Sequence, residues 1–414
     1  MNYSQALRYL NTFTDLEKLA QFPKNSFFNL KRMEHLLRIG GHPEKKFFPV
    51  LIAGTTGKGS TGFFLESILE ANGISTGYYH SPHVEDPRER IRVRGAMTSP
   101  KVWAEGLSWI QKLLRKNSVP ERLGILTYFE ILTFLAIWVF AQRGVAVGIF
   151  EIGLGGRLDA TNVLKASLVI LTPIHLDHEA FLGNTIAKIA AEKAGIIKPQ
   201  THVVTGKQFP EAFEVIRRAV RANRGSLWTA KPVSGLPLGL AGNFQKMNAG
   251  TALKAAEILA KRFHFPIDPE RSGKGLQCRN WQGRMESFYR GGSRLILDGA
   301  HNPLSVKELI SSLKAMKIRD PWLVFGAMRD KNSQGMLKIL SGFFSKVILT
   351  EIAGNRAKSA AMLVEEAKGL FNCILTAHDI EEALGLLKRS AAAKETAVIT
   401  GSFYLVGEAR KILK

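Results

Sequence analysis

The sequence predicts an α/β protein of two domains, each with a mainly parallel sheet carrying helices on both faces. Three observations point there. The chain has 414 residues, more than one ordinary core accommodates. Short apolar, β-rich runs alternate with amphipathic stretches, the pattern of strands buried on both faces between helices. The alternation breaks off and restarts late in the chain. A composition of 45% hydrophobic and 22% charged residues is that of a globular protein.

In order, Phe47 to Ala53 reads as a buried strand, followed by a glycine-rich turn and a helix near Lys58 to Ala71. Ile131 to Ala141 is the longest apolar stretch and contains Thr133. It falls short of the roughly 18 residues a membrane span needs, so a buried helix is expected. Val145 to Ile152 and Ser167 to Thr172 read as further strands. The second series begins with strand Arg294 to Leu297 and helix Pro303 to Met316. Strands Trp322 to Phe325, Lys346 to Leu349 and Ala397 to Thr400 follow, with helices between them. Tyr289 to Ser293, with two glycines, is the best linker candidate. The expected organisation is a domain over 1–288 and a smaller, Rossmann-like domain over 294–414.

The formal charge is +22, which predicts a positive field attracting anions. Basic clusters such as Arg217, Arg218, Arg221 and Arg224 are not interleaved with aromatics in a stacking pattern. Nucleic acid is therefore not the expected partner, although a polyanion-binding P-loop ATPase stands as the alternative reading. Cys278 and Cys373 are too few for a disulfide framework or a Cys-based metal site. Met1 to Phe13 lacks the pattern of a signal peptide. A monomeric cytoplasmic enzyme with no membrane contact is expected.

Residues 54–60 read Gly-Thr-Thr-Gly-Lys-Gly-Ser between a strand and a helix, which makes the N-terminal domain P-loop-type. Glycines let backbone N–H groups of Gly54, Thr55, Gly57 and Gly59 turn toward phosphate, and the helix N-terminus adds partial positive charge. Lys58 can reach the outer phosphates, and the Ser60 hydroxyl can ligate magnesium. The spacing departs from the usual loop, since a glycine intervenes between Lys58 and Ser60. An ordinary glycine-rich turn is the competing reading.

Glu151 ends a strand where α/β sheets bind ligands, so it is a candidate magnesium ligand; a turn or capping role is the alternative. His178, in His-Leu-Asp-His over 175–178, reads equally as ligand or structural residue. Lys193 alone reads as a lysine near a helix end. Leu126-Thr127-Tyr128-Phe129-Glu130 offers aromatic walls for a flat ring, or plain core.

These motifs, in this order, resemble the dihydrofolate synthase/folylpolyglutamate synthase family of the Mur ligase superfamily. The resemblance rests on the 54–60 loop, with Thr56 where asparagine is usual, and on Ser81-Pro82-His83 with Glu89-Arg90-Ile91. Gly-Leu-Gly-Gly-Arg-Leu-Asp-Ala-Thr-Asn over 153–162, Leu-Asp-His and Glu-Lys-Ala-Gly-Ile continue it, as do Gly-Asn-Phe-Gln-Lys-Met-Asn over 242–248 and Gln-Gly-Arg-Met-Glu. Asp-Gly-Ala-His-Asn-Pro over 298–303 and Thr-Gly-Ser over 400–402 complete it. It spans about Phe22 to Gly407. Phe244 stands where the family usually has histidine, and His175 where glycine is common; His175 is given no role.

The resemblance implies a ligase that uses ATP and two magnesium ions to join L-glutamate to dihydropteroate and to folates through an acyl phosphate. The alternative within the family is polyglutamate extension alone. Glu151 and His178 are implied as magnesium ligands and Ser81 as a direct or an indirect one, with Lys193 carbamylated to hold the second metal or to orient its water. Phe129 and Asp159 are implied for the pterin, and the form of residues 157–162 favours the bifunctional enzymes. Asn248 is expected at the adenine, Arg284 at the ATP phosphates and Asp298 at the nucleotide. His301 is expected at phosphate or glutamate, and Ser402 at glutamate.

Overall fold

The structure, a computed structural model, describes residues 1–16, 28–278, 281–290, 292–354, 356–390 and 395–414. The chain forms two compact units. The first comprises 1–82, 87–237 and 246–278, and the second 83–86, 238–245 and 279–414.

The first unit is built on eight strands: β1 (Phe48–Ala53), β2 (Thr76–Tyr79), β3 (Ile91–Val93), β4 (Ala96–Met97), β5 (Val147–Glu151), β6 (Leu168–Leu171), β7 (His202–Thr205) and β8 (Ser226–Thr229). They lie in the order β4-β3-β2-β5-β1-β6-β7-β8. From β2 to β8 every pairing is parallel, and β3 and β4 add an antiparallel edge. β1, β2, β5 and β6 are almost wholly buried, as apolar runs covered on both faces require.

The expected helix after β1 spans Lys58–Ala71, and the long apolar run lies within Tyr128–Arg143. The second helix is apolar on nearly every side and is buried accordingly. Its start is fixed by a reciprocal cap: the Thr127 hydroxyl accepts from the Glu130 N–H at 3.2 Å, and the Glu130 carboxylate accepts from the Thr127 N–H at 2.8 Å. Gly144 ends it in a left-handed conformation. Among the described residues no helix is long and apolar enough to cross a membrane.

The second unit carries β9 (Glu286–Arg290), β10 (Ser293–Leu297), β11 (Trp322–Phe325), β12 (Lys346–Thr350), β13 (Cys373–Ala377) and β14 (Thr396–Thr400). The order is β13-β12-β11-β14-β10-β9, parallel except for the β9–β10 hairpin. That hairpin corrects the linker expectation. Arg290 pairs with Ser293, so β9 and β10 lie side by side in one sheet and do not flank a join between domains. Glycine clusters mark tight turns as readily as linkers, and sequence alone does not separate the two. The segment 83–86 is held in this unit by Arg410, whose guanidinium pairs with Glu85 and also with Glu286 at 3.0 Å. Lys414 adds a 2.8 Å bond to Glu85.

Candidate active site

Strand register gathers the predicted residues of the first unit. Tyr79 pairs with Phe150, Ile52 with Glu151, and Ala53 with Leu171. The carboxyl ends of β2, β5, β1 and β6 are therefore level. Ser81, Glu151, the 54–60 loop and residues 172–178 leave the sheet side by side, at the edge where open α/β sheets bind ligands.

The phosphate loop is held by main-chain bonds. The Thr55 and Thr56 N–H groups donate to the Pro173 carbonyl at 2.9 and 3.3 Å. The Thr55 hydroxyl donates to the His175 carbonyl at 3.1 Å and accepts from its N–H at 3.0 Å. His175 thus anchors the loop through its backbone. Gly57 caps the following helix at φ 82° with no side chain over its end. A Cβ there would also fall 2.5 Å from the Asn248 Oδ1, so Asn248 packs directly against the loop. Ser60 is buried in the first helical turn.

Lys58 donates to the Gly54 carbonyl at 3.2 Å, and its Nζ lies 3.9 Å from the Glu151 carboxylate. Glu151 is buried, and its other oxygen faces the Tyr78 hydroxyl at 3.4 Å. Lys193 is buried on the helix Ile186–Ala194. Burial, reinforced by the Lys58 charge and opposed by Asp177 and Asp159, pushes its ammonium down to about 7. His178 sits half-buried in a left-handed conformation, its Nε2 3.9 Å from Asp177. Asp177 was not singled out in the sequence, yet it is the carboxylate that faces both His178 and Lys193.

Magnesium takes oxygen donors, one or two carboxylates from the protein, and the rest from phosphate and water. A buried Glu151 beside a phosphate loop that carries Ser60 fits that donor set. Among the described residues no three His, Cys, Asp or Glu side chains group as a cage.

Phe129 stacks against the loop after β5: a Cβ on Gly153 would meet its Cζ at 2.6 Å. Its ring centroid lies 5.9 Å from that of Tyr79. Asp159 shapes the same loop. One carboxylate oxygen accepts from the Gly153 and Leu154 N–H groups at 3.0 Å each. The other accepts from the Thr161 N–H at 2.9 Å and its hydroxyl at 2.6 Å. Burial raises its pKa against those bonds. Four donors fill the usual capacity of a carboxylate.

In the second unit, Leu297 pairs with Ile399, which sets Asp298 level with the turn after β14. Asp298 is buried and accepts from the Met285 and Ala300 N–H groups at 3.0 Å each. Burial raises its pKa, with Arg284 opposing. The Arg284 guanidinium lies 4.5 Å from the centre of the Phe403 ring, and the His301 ring 5.8 Å from it. His301 Nδ1 is 2.8 Å from the Gly299 carbonyl. Ser402 caps the last helix, accepting from the Tyr404 N–H at 3.1 Å. Glu308 faces this group, and burial together with Asp298 pushes its carboxyl up to about 7 against Arg284. No sequence motif marked Glu308, and Phe403 lies in the motif after the last strand without a role of its own.

Residues 283–403 match the family described as Mur ligase, glutamate ligase domain. A dihydrofolate synthase/folylpolyglutamate synthase of Bacillus subtilis is 34% identical over 93% of this chain and 95% of its own. The chain belongs to that family. A folylpolyglutamate synthase of Lacticaseibacillus casei is 30% identical over 100% of this chain and 99% of its own. The structure of a Mycobacterium tuberculosis folylpolyglutamate synthase complexed with ADP and AMPPCP superposes with a TM-score of 0.87 at 28% identity, covering 99% of this chain and 98% of that one. As a family member this protein is a ligase forming carbon–nitrogen bonds, adding glutamate to folates at the expense of ATP. The two-domain α/β fold is that of the family's solved structures.

Proposed function

We propose that this ligase joins L-glutamate to dihydropteroate as well as to reduced folates, and that each reaction passes through an acyl phosphate. The observation that carries the reading is the level edge of β1, β2, β5 and β6, where the Lys58 loop, Glu151 and the Phe129–Gly153 wall meet. A phosphate-binding turn, a cation-holding carboxylate and an aromatic wall are the parts that phosphorylation of a flat aromatic acid requires.

A carboxylate and an ammonium do not condense in neutral water. The acceptor carboxylate attacks the γ-phosphorus of ATP and ADP leaves. The α-amine of glutamate then attacks the acyl carbon, and phosphate departs with one former carboxylate oxygen. Lys58 and the loop N–H groups beyond Thr56 hold the phosphates in line and offset their charge, since the Thr55 and Thr56 N–H groups donate to Pro173. Ser60, Ser81, Glu151 and His178 would hold magnesium, two ions in all, which would supply positive charge to offset that of the phosphates.

Lys193 is proposed to carry a carbamate. An amine neutral near pH 7 is the form that adds CO₂, and the resulting anion is an oxygen donor able to serve a second ion. Asn248, against the loop, is assigned to the adenine side of the nucleotide. Phe129 is assigned to the pterin face, and Asp159 acts on the same ring through the loop it organises. In the second unit Arg284 and Asp298 are assigned to the nucleotide, and His301 and Ser402 to phosphate and glutamate. The reading places the enzyme in the cytoplasm as a monomer, in keeping with free thiols at Cys278 and Cys373.

Dihydropteroate labelled with ¹⁸O in its carboxylate tests the chemistry. The acyl-phosphate route delivers one label into each phosphate released. Unlabelled phosphate from a turning-over enzyme rejects it.

A further inference from the structure

Tyr78 is fully buried on β2, between the helix that follows the phosphate loop and the end of β5. Its hydroxyl lies 3.0 Å from the Gly59 carbonyl and 3.4 Å from the Glu151 carboxylate. Both neighbours belong to the phosphate site, one in the loop's helix turn and one at the candidate metal carboxylate.

The surroundings are built around that hydroxyl. Gly62 stands above it, and a Cβ at that position would lie 2.4 Å from the phenol oxygen. Any larger residue would push the hydroxyl away from Gly59. On β3, Arg92 pairs with Tyr78 across the antiparallel ladder, and its guanidinium bonds Glu66 of the same helix at 2.9 Å. The Lys58–Ala71 helix is thus tied to β2 and β3 at two levels. Tyr78 holds the first turn, and the Glu66–Arg92 pair holds a level about two turns further on.

Glu151 is held from two sides. One oxygen faces Lys58 at 3.9 Å and the other faces the phenol. A tyrosine O–H has a single proton to give. The carbonyl and the carboxylate therefore share one donor, and that donor sets where the carboxylate stands relative to the loop.

We propose that Tyr78 is a positioning residue for the divalent cation, aligning Glu151 with the phosphate loop through its hydroxyl. The proposal rests on the assignment of Glu151 as a metal ligand made above. Groups that orient a metal ligand commonly change metal affinity by about 10–100-fold when removed. At 3.4 Å the phenol contact belongs at the lower end, about tenfold.

The test is Mn²⁺ binding to the full chain in the presence of AMPPCP, read from the loss of the free-ion EPR signal, with no turnover involved. Tyr78→Phe keeps the ring and loses only the donor. Gly62→Ala keeps the donor and displaces it. Both are expected to weaken Mn²⁺ binding about tenfold while AMPPCP binding without metal stays as in the parent, and Glu151→Gln to weaken it further. Wild-type Mn²⁺ affinity in both variants overturns the role of Tyr78 and leaves the Glu151 assignment standing. Wild-type affinity in Glu151→Gln as well overturns both.

Discussion

Lys193→Met should make the protein more stable at low pH while removing its activity. The cause is a buried ammonium, whose pKa falls from 10.5 to about 7. Between those two values the unfolded chain holds a proton that the folded chain releases. Folding stability therefore rises with pH through that window, and the cost is fully present below about 7. The gap between 10.5 and about 7 corresponds to about 5 kcal/mol. From the same two values nearly the whole cost is present at about pH 6 and about 2 kcal/mol of it remains at about pH 9. Methionine fills a similar volume without charge and has no such slope. Urea unfolding in CO₂-free buffer with chelator, at the two pH values, compares the proteins. The stability difference between Lys193→Met and wild type should shrink by about 3 kcal/mol from low to high pH. A difference independent of pH would refute the buried-ammonium argument.

Other outcomes follow from the same geometry. Lys58→Ala should lower kcat/KM for ATP by about 10²–10³-fold, the usual loss when one charge-stabilising donor goes, with the melting temperature unchanged. Asp159→Asn turns an amide N–H₂ toward N–H groups that in the parent meet an acceptor, so the 153–162 loop loosens. Acceptor KM should rise with ATP KM unchanged, as measured by steady-state kinetics with each substrate varied. Thr127→Ala removes the cap of the central apolar helix and should cost about 1 kcal/mol in urea unfolding.

The fold was legible where pattern and motif agreed. The Lys58–Ala71 helix and the Trp322–Phe325 strand begin and end where the sequence places them, because glycine punctuation and apolar runs bound both. Thr76–Tyr79, with glycine and two tyrosines, does not read as a core strand, yet it is wholly buried and carries the donor to Glu151. The pairing of β9 with β10 is not legible, because glycine permits a hairpin and a linker alike. Long-range pairings were invisible in principle: no local pattern ties Glu85 to Arg410 or sets Asn248 against Gly57.

The site divides in the same way. Residues on strand ends, such as Glu151 and Asp298, are readable because a carboxylate at a strand's carboxyl end has a known place in an α/β sheet. Lys193 reads as a common helix-end lysine until its burial is seen. Asp159 reads as a substrate contact until its four backbone and hydroxyl donors are counted.

The central claim is that one site serves two acceptors. The direct measurement is phosphate release from ATP with L-glutamate and magnesium, comparing dihydropteroate with tetrahydrofolate. Turnover with both is the predicted result. Turnover with tetrahydrofolate alone would contradict it and leave a folylpolyglutamate synthase.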